Sequence, residues 1–320
     1  MLLKLIPTDT HIPFTRWRVI AFAFSAIMVV SSLTAVALLG FNFGVDFRGG
    51  ITIEVASDQP INLGEVRNTV TGLGLGNTKV QEVQDFSGSE KGVVVFLQQQ
   101  QADGAEVDSE VAQQDASDKV QAALKELLGD NIEFRKIEVV GPTVSAELVR
   151  SGALAVALSI TMMLLYISLR FEWQFGVGAI VALVHDVSIT LGMFAVTRLE
   201  FNLPIIAAIL TIVGYSINDT VVVYDRIREN LRKYKKKDLA ELIDLSINET
   251  LSRTVMTSGT TLLTLIALFV IGGQVLQGFS FSMIFGILIG TYSSIFVASP
   301  FLMATGVKRD WSKAPAPATP

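Results

Sequence analysis

The 320-residue sequence contains no cysteine, and only 17% of its residues are charged. The first absence excludes a disulfide framework in any compartment. The second excludes an ordinary soluble domain, in which about a quarter of residues carry charge. Half of the residues are hydrophobic. The net charge of −5 gives no reason to expect nucleic acid as a partner.

Apolar runs replace the missing charge. Those near the ~20 residues a helix needs to cross the hydrocarbon core lie at 19–40, 151–169, 175–197, 202–224, 254–271 and 278–307. Two of them are interrupted by acids. The first run follows Lys4, Arg16 and Arg18 and contains the small-residue pattern Ala35-Val36-Ala37 of a signal-peptide cleavage site. It is too long for a signal-peptide core, so an uncleaved anchor is expected. Lysine and arginine crowd three places: before the first run, between the fourth and fifth (Arg226 to Arg253), and after the last (Lys308, Arg309, Lys313). The positive-inside rule then sets six spans with both termini in the cytoplasm.

That topology puts residues 41–150 outside the cytoplasm, with 18 acidic against 9 basic residues. Alternation at 45–56, helical spacing at 62–74, strand-like runs at 78–84 and 92–98, a helix at about 115–128 and a strand at 132–140 give the order β-α-β-β-α-β. The expected fold class is an α-helical membrane protein carrying a ferredoxin-like α+β domain between its first two spans. The polar tract at 98–118 has few apolar residues and reads as an insertion that does not pack. The expected domains are 1–40, 41–150, 151–307 and a tail at 308–320. The outer domain shows no catalytic group or metal-ligand spacing, so it reads as a contact surface for another macromolecule or as a stabilising spacer.

Within "IVGYSINDTVVVYDRIREN" (212–230), Asn218 and Asp219 sit deep in apolar sequence. Mid-bilayer charge is costly, so such residues face a partner or a water path. Tyr215 and Ser216 share the helix face of Asp219. In the fifth run Arg253, Thr254, Thr257, Thr261 and Thr264 recur at helical spacing, and Arg253 could pair with Asp219. His185 and Asp186 mark a second polar membrane site in the third run. A carboxylate whose arginine neighbour approaches and withdraws can load and release a proton; the competing reading is a polar clamp between helices. Two buried acids also admit an intramembrane aspartyl protease, but its Gly-x-Gly-Asp pattern is missing, and no enzyme is expected. Ser282, Gly286, Gly290, Ser294 and Ala298, four residues apart, form a face that lets another helix approach closely.

Five stretches in order, "FNFGVDFRGG", "VGPTVSAELVRSGA", "FEWQFGVGAIVALVHDVSITLG", "IVGYSINDTVVVYDRIREN" and "SRTVMTSGTTL", resemble the SecF subunits of the bacterial SecD/SecF protein-export family. The resemblance runs from about Arg16 to Lys308. It implies an inner-membrane subunit of the resistance-nodulation-division superfamily, paired with a SecD half and using protons as coupling ion without another cofactor. It also implies SecYEG with SecA, YajC and YidC as associates, an exported preprotein as cargo and membrane lipid as surroundings. On the family pattern the important aspartate and arginine fall on Asp219 and Arg253. Asp46, Arg48, Gly49 and Gly50 fall on the signature where the outer, periplasmic domain begins. A small-molecule or lipid exporter half and a scaffold subunit that couples nothing are the alternatives.

Overall fold

The computed structural model describes residues 10–57, 60–84, 91–98, 106–129 and 131–307. They divide into two compact units, one of helices and one built around a sheet. The sheet unit takes the described residues of Asn42–Val156 and of Glu200–Leu203.

In the sheet unit, β1 (Asn42–Phe43) leads into a single helical turn, α2 (Val45–Arg48), and then β2 (Gly50–Ser57). The expected strand at 45–56 therefore starts five residues late. Two consecutive glycines in left-handed backbone make the corner, Gly49 at φ 68° and ψ 166° and Gly50 at φ 118°. The first of these is a region essentially reserved for glycine. Helix α3 (Leu63–Gly72) follows, capped by Asn62, whose side chain accepts from Gly64 N. Then come β3 (Thr78–Gln84), β4 (Lys91–Leu97), α4 (Glu106–Leu128) and β5 (Ile132–Val140). The sheet runs β3-β4-β2-β5 with every pairing antiparallel. A two-residue strand, β6 (Glu200–Phe201), pairs in parallel with β1, a contact too short for periodicity to reveal.

The expected second helix is longer than its apolar pattern. It starts at Glu106, so the part of the 98–118 tract at 106–118 is helix and not an insertion, while 99–105 lie outside the described residues. Its buried face reads Gln113, Ala116, Ser117, Val120 and Leu124. Small and polar residues occupy the first two turns of that face, which hid the stripe. With Val66 and Val70 of α3, this face covers Ile51, Ile53, Val55, Val93 and Val95 of the sheet.

The other side of β2 is also shielded. Thr52 and Glu54 are buried there, and one oxygen of Glu54 has no hydrogen-bond partner among the described residues. Burial pushes the Glu54 carboxyl above its ordinary value near 4.5, against the opposing pull of Arg135 and Lys136. Glu200 is raised for the same leading reason. An acid whose pKa is higher folded than unfolded takes up a proton on folding. Its contribution to stability is full below the unfolded value and is lost as pH rises through the folded one. Unfolding midpoints of Glu54→Gln should therefore fall less between pH 4 and pH 7 than those of the parent. Equal slopes would show that Glu54 titrates alike in both states.

Six helices are long and apolar enough to cross a membrane. They are α1 (Arg18–Leu39), α5 (Pro142–Arg170), α6 (Trp173–Thr197), α7 (Leu203–Lys233), α8 (Leu239–Ile271) and a last rod. That rod joins α9 (Gly273–Ser293) through a π-helical turn at Ser294–Ala298 to α10 (Ser299–Thr305). Helix α5 begins nine residues before its apolar run, so the expected domain limit at 150 falls inside a helix. Helices α6, α7 and the last rod are the buried ones, whereas α1, α5 and α8 are mostly exposed. Tyr224 of α7 is fully buried against Phe171 and Phe175, and its hydroxyl donates to Ala298 O at 2.9 Å. Arg198 ends α6 and donates to Leu39 O and Gly40 O, satisfying carbonyls that the end of α1 leaves open.

The two ends of the α7–α8 connection form a helical hairpin. Asn230 donates to Ser246 and Glu249, and Arg226 donates to Glu249. The segment before α1 straps across it. Ile12 exchanges two backbone hydrogen bonds with the Asn248 amide, and Thr15 donates twice to Asp244.

Candidate functional site

The two interrupting acids are both buried, Asp186 at 0% and Asp219 at 7% exposure, and each is held by hydroxyls from other helices. Asp219 on α7 accepts from Thr254 of α8 at 2.8 Å and from Ser294 at 2.7 Å. Asp186 on α6 accepts from Ser216 of α7 at 2.5 Å and from Ser293 at 2.7 Å. Nδ1 of His185 lies 2.8 Å from the other oxygen of Asp186. An ionised carboxylate can only accept, so toward ionised Asp186 it is Nδ1 that donates. Nε2 of His185 is buried without a hydrogen-bond partner among the described residues.

Ser293 and Ser294 are neighbours in "TYSS" (291–294), and each residue of this stretch touches a different helix. Thr291 shares a hydrogen bond with Ser258 of α8 at 2.8 Å, and Ser258 accepts from Tyr215 of α7 at 3.3 Å. Tyr292 donates to Ala21 O of α1, shares a hydrogen bond with Ser25, and stacks on the His185 ring with centroids 6.0 Å apart. Ser293 reaches α6 and Ser294 reaches α7. Consecutive residues of a helix point about 100° apart, so four of them cover the whole circumference. The last rod can present this ring because it is central. The π-helical turn begins at Ser294 itself, and Ser299 donates to Ser294 O at 2.7 Å. Such turns in membrane and soluble helices often mark functional sites.

The small-residue face of this rod lies against α7. A Cβ on Gly286 would overlap the Ile212 side chain, and one on Gly290 would stand 3.2 Å from Ser216 Cβ. Ser282 donates to its own helix at Gly278 O. The close approach of the two rods is what lets serine hydroxyls, the shortest donors, span from one to the other.

Other expected site residues lie elsewhere. Asn218 is exposed. Arg253 is exposed too, and among the described residues no ion pair joins it to Asp219. Of the expected stripe, helix α8 turns Thr254 toward α7, together with Ser258, which the stripe did not include. Thr257, Thr261 and Thr264 donate to carbonyls of their own helix, four residues back. Ser293, Thr291, Tyr292 and Ser25 are new to the site. The signal for Thr291, Tyr292 and Ser293 was four polar residues in succession, 291–294, within an otherwise apolar run.

In the sheet unit, Asp46 accepts from Leu203 N at 2.9 Å, supplying negative charge at the first residue of α7. Arg48 and Gly49 line a cavity of about 310 Å³ together with Asn42, Lys79, Phe96 and Glu200. Phe43 packs edge to face on both Phe47 and Phe201 beside the short parallel strand pair, and the latter two rings meet at a tilt.

The family model for the C-terminal part of the SecD/SecF protein export membrane proteins matches residues 119–308, and the model for the SecD/SecF GG motif matches 34–61. The protein translocase subunit SecF of Vibrio alginolyticus is 42% identical over 96% of this chain and 94% of its own. That of Cereibacter sphaeroides is 45% identical over 97% and 94%. The crystal structure of SecDF, a translocon-associated membrane protein from Thermus thermophilus, superposes with a TM-score of 0.78 at 35% identity over 94% of this chain. This chain spans 40% of that SecDF chain. With a family model matched over more than half its length and relatives above 40% identity along nearly all of it, the chain belongs to the SecD/SecF family of protein-export membrane proteins.

Proposed function

We propose that this chain is the SecF half of a protein-export complex, joined to a SecD half, and that proton movement past Asp219 drives the rearrangements that help a preprotein leave the inner membrane. The observation that carries the reading is Asp219 itself. It is a carboxylate in mid-span, held among the described residues by two hydroxyls from two other elements, Thr254 and Ser294. Hydroxyls can donate or accept, so they serve the carboxylate and the carboxylic acid equally well and do not lock either state. Arg253, next to Thr254, needs only a modest turn of α8 to bring its charge nearer, and its role is to bias Asp219 toward ionisation.

The exposed faces of α1, α5 and α8 support a partner half within the membrane, as does the share of a SecDF chain that this chain spans. Both termini and the basic α7–α8 connection are assigned to the cytoplasm, with the sheet unit in the periplasm. SecYEG with SecA is the translocation machinery served, and YajC and YidC are its further associates. Each proton crossing supplies about 2.3 kcal/mol per 100 mV of potential.

The test is preprotein export into sealed inverted vesicles holding SecYEG, SecA and the SecD half, with and without this chain, each with and without a proton gradient. The gradient-dependent part of export should require the chain. Stimulation that needs the chain but ignores the gradient would make it a scaffold, and stimulation of small-molecule or lipid efflux alone would make it an exporter half.

A further inference from the structure

A charged basin opens where α5 ends. Arg170, Asp225, Arg228, Glu229, Arg232 and Lys233 wall a cavity of about 530 Å³. Its depth in the bilayer follows from two helices independently. Arg170 ends the uncharged run of α5, and Asp225 is the first charge after the apolar run of α7, about 33 Å from that helix's start at 1.5 Å per residue. One guanidinium nitrogen of Arg170 lies 2.8 Å from both oxygens of Asp225, so the two helices reach water at the same level. Trp173, three residues on, is 66% exposed, as expected of a side chain at the headgroup boundary.

The basin holds four cations and two carboxylates, and both carboxylates are engaged. Asp225 is paired with Arg170 and, at 3.8 Å, with Arg228; Glu229 is paired with Arg226, which is outside the basin. The guanidinium of Arg228 lies over the Phe171 ring, 5.5 Å from its centroid, and its Nε is buried without a hydrogen-bond partner among the described residues. A buried donor without an acceptor is costly, and a phosphate oxygen is the strongest acceptor that a headgroup-level cavity can meet. Leading away from the basin, α5 exposes Leu158, Met162, Leu165 and Leu169, an apolar stripe that stops one residue short of Arg170. A basic cavity that opens onto a membrane-facing apolar stripe has the two halves of a phospholipid site.

We propose that this basin holds the headgroup of one anionic phospholipid, with its acyl chains along the α5 stripe. The phosphate lies against Arg228, with Arg232 and Lys233 contributing charge, and the excess of cations over carboxylates in the basin favours an anionic headgroup over a zwitterionic one. The site stands whether or not protons pass Asp219.

The full chain, with Trp173 as its only tryptophan (Trp17→Phe, Trp311→Phe), is placed in vesicles of brominated phosphatidylglycerol or brominated phosphatidylcholine diluted in unlabelled phosphatidylcholine, and quenching is compared. Phosphatidylglycerol should quench more efficiently. Arg228→Gln should lower that preference about fivefold, the factor that corresponds to about 1 kcal/mol per basic group. Glu229→Gln, a change at an exposed side chain, should raise it. Equal quenching by the two lipids, or a preference that neither variant alters, overturns the proposal. Loss of the preference on adding millimolar inorganic phosphate, but not chloride of equal ionic strength, also overturns it, because the basin would then take free phosphate in place of lipid.

Discussion

Asp219→Asn is expected to assemble with its partner in normal amounts and to lose the whole gradient-dependent part of export, while export in the absence of a gradient stays at the parent level. The structure explains why the substitution should be tolerated. One amide oxygen can still accept from Thr254, and the new NH2 can donate to Ser294 Oγ, whose own proton has a ready acceptor in Thr291 O at 3.0 Å. The hydrogen-bond count is kept and the volume is unchanged, but the group no longer titrates. A clamp would survive this change and a relay would not. Export measured in the inverted vesicles, together with co-purification of the partner, separates the two: normal gradient stimulation by the variant would leave Asp219 a packing group.

Asp186→Ala should do something different, namely destabilise the chain by about 1–3 kcal/mol for each buried donor it leaves without an acceptor. Three side chains, His185, Ser216 and Ser293, direct hydrogen bonds at this one carboxylate. Ser293 has Gly290 O as a second acceptor at 3.1 Å, but no second acceptor is found for His185 among the described residues. Thermal stability in detergent, followed as loss of the monodisperse peak on heating, should fall sharply for Asp186→Ala and much less for Asp186→Asn, which retains an acceptor oxygen. If the two variants melt alike, the network around Asp186 contributes little to the fold.

The spans and the order of elements were legible because they rest on runs and periods. Asp186 and Asp219 were legible for a simpler reason: a charge in twenty apolar residues is visible to anyone counting. What escaped was rotation. Helix α8 carries hydroxyls on two adjoining faces, Thr254 with Ser258 and Thr257 with Thr261 and Thr264, and spacing alone does not say which faces a neighbour. Packing decides, and it favours the face that excludes Arg253. The turn at Val45–Arg48 was misread because its Val-x-Phe spacing suits a strand as well, and only the backbone at Gly49 shows where the strand begins. Ser293 could not be singled out at all, since its acceptor lies 107 positions away.

The π-helical turn has a mechanical consequence. Because Thr291 to Ser294 engage α8, α1, α6 and α7 in succession, the last rod behaves like a gear meshed with four others. A rotation of this rod that freed Ser294 from Asp219 would also shift Ser293 beside Asp186, so the surroundings of the two acids are linked through one helix. A π-helical turn is the equivalent of one residue inserted into a regular helix. A change of helix pitch there would alter both contacts together, while Thr254 still donates to Asp219 and Ser216 to Asp186.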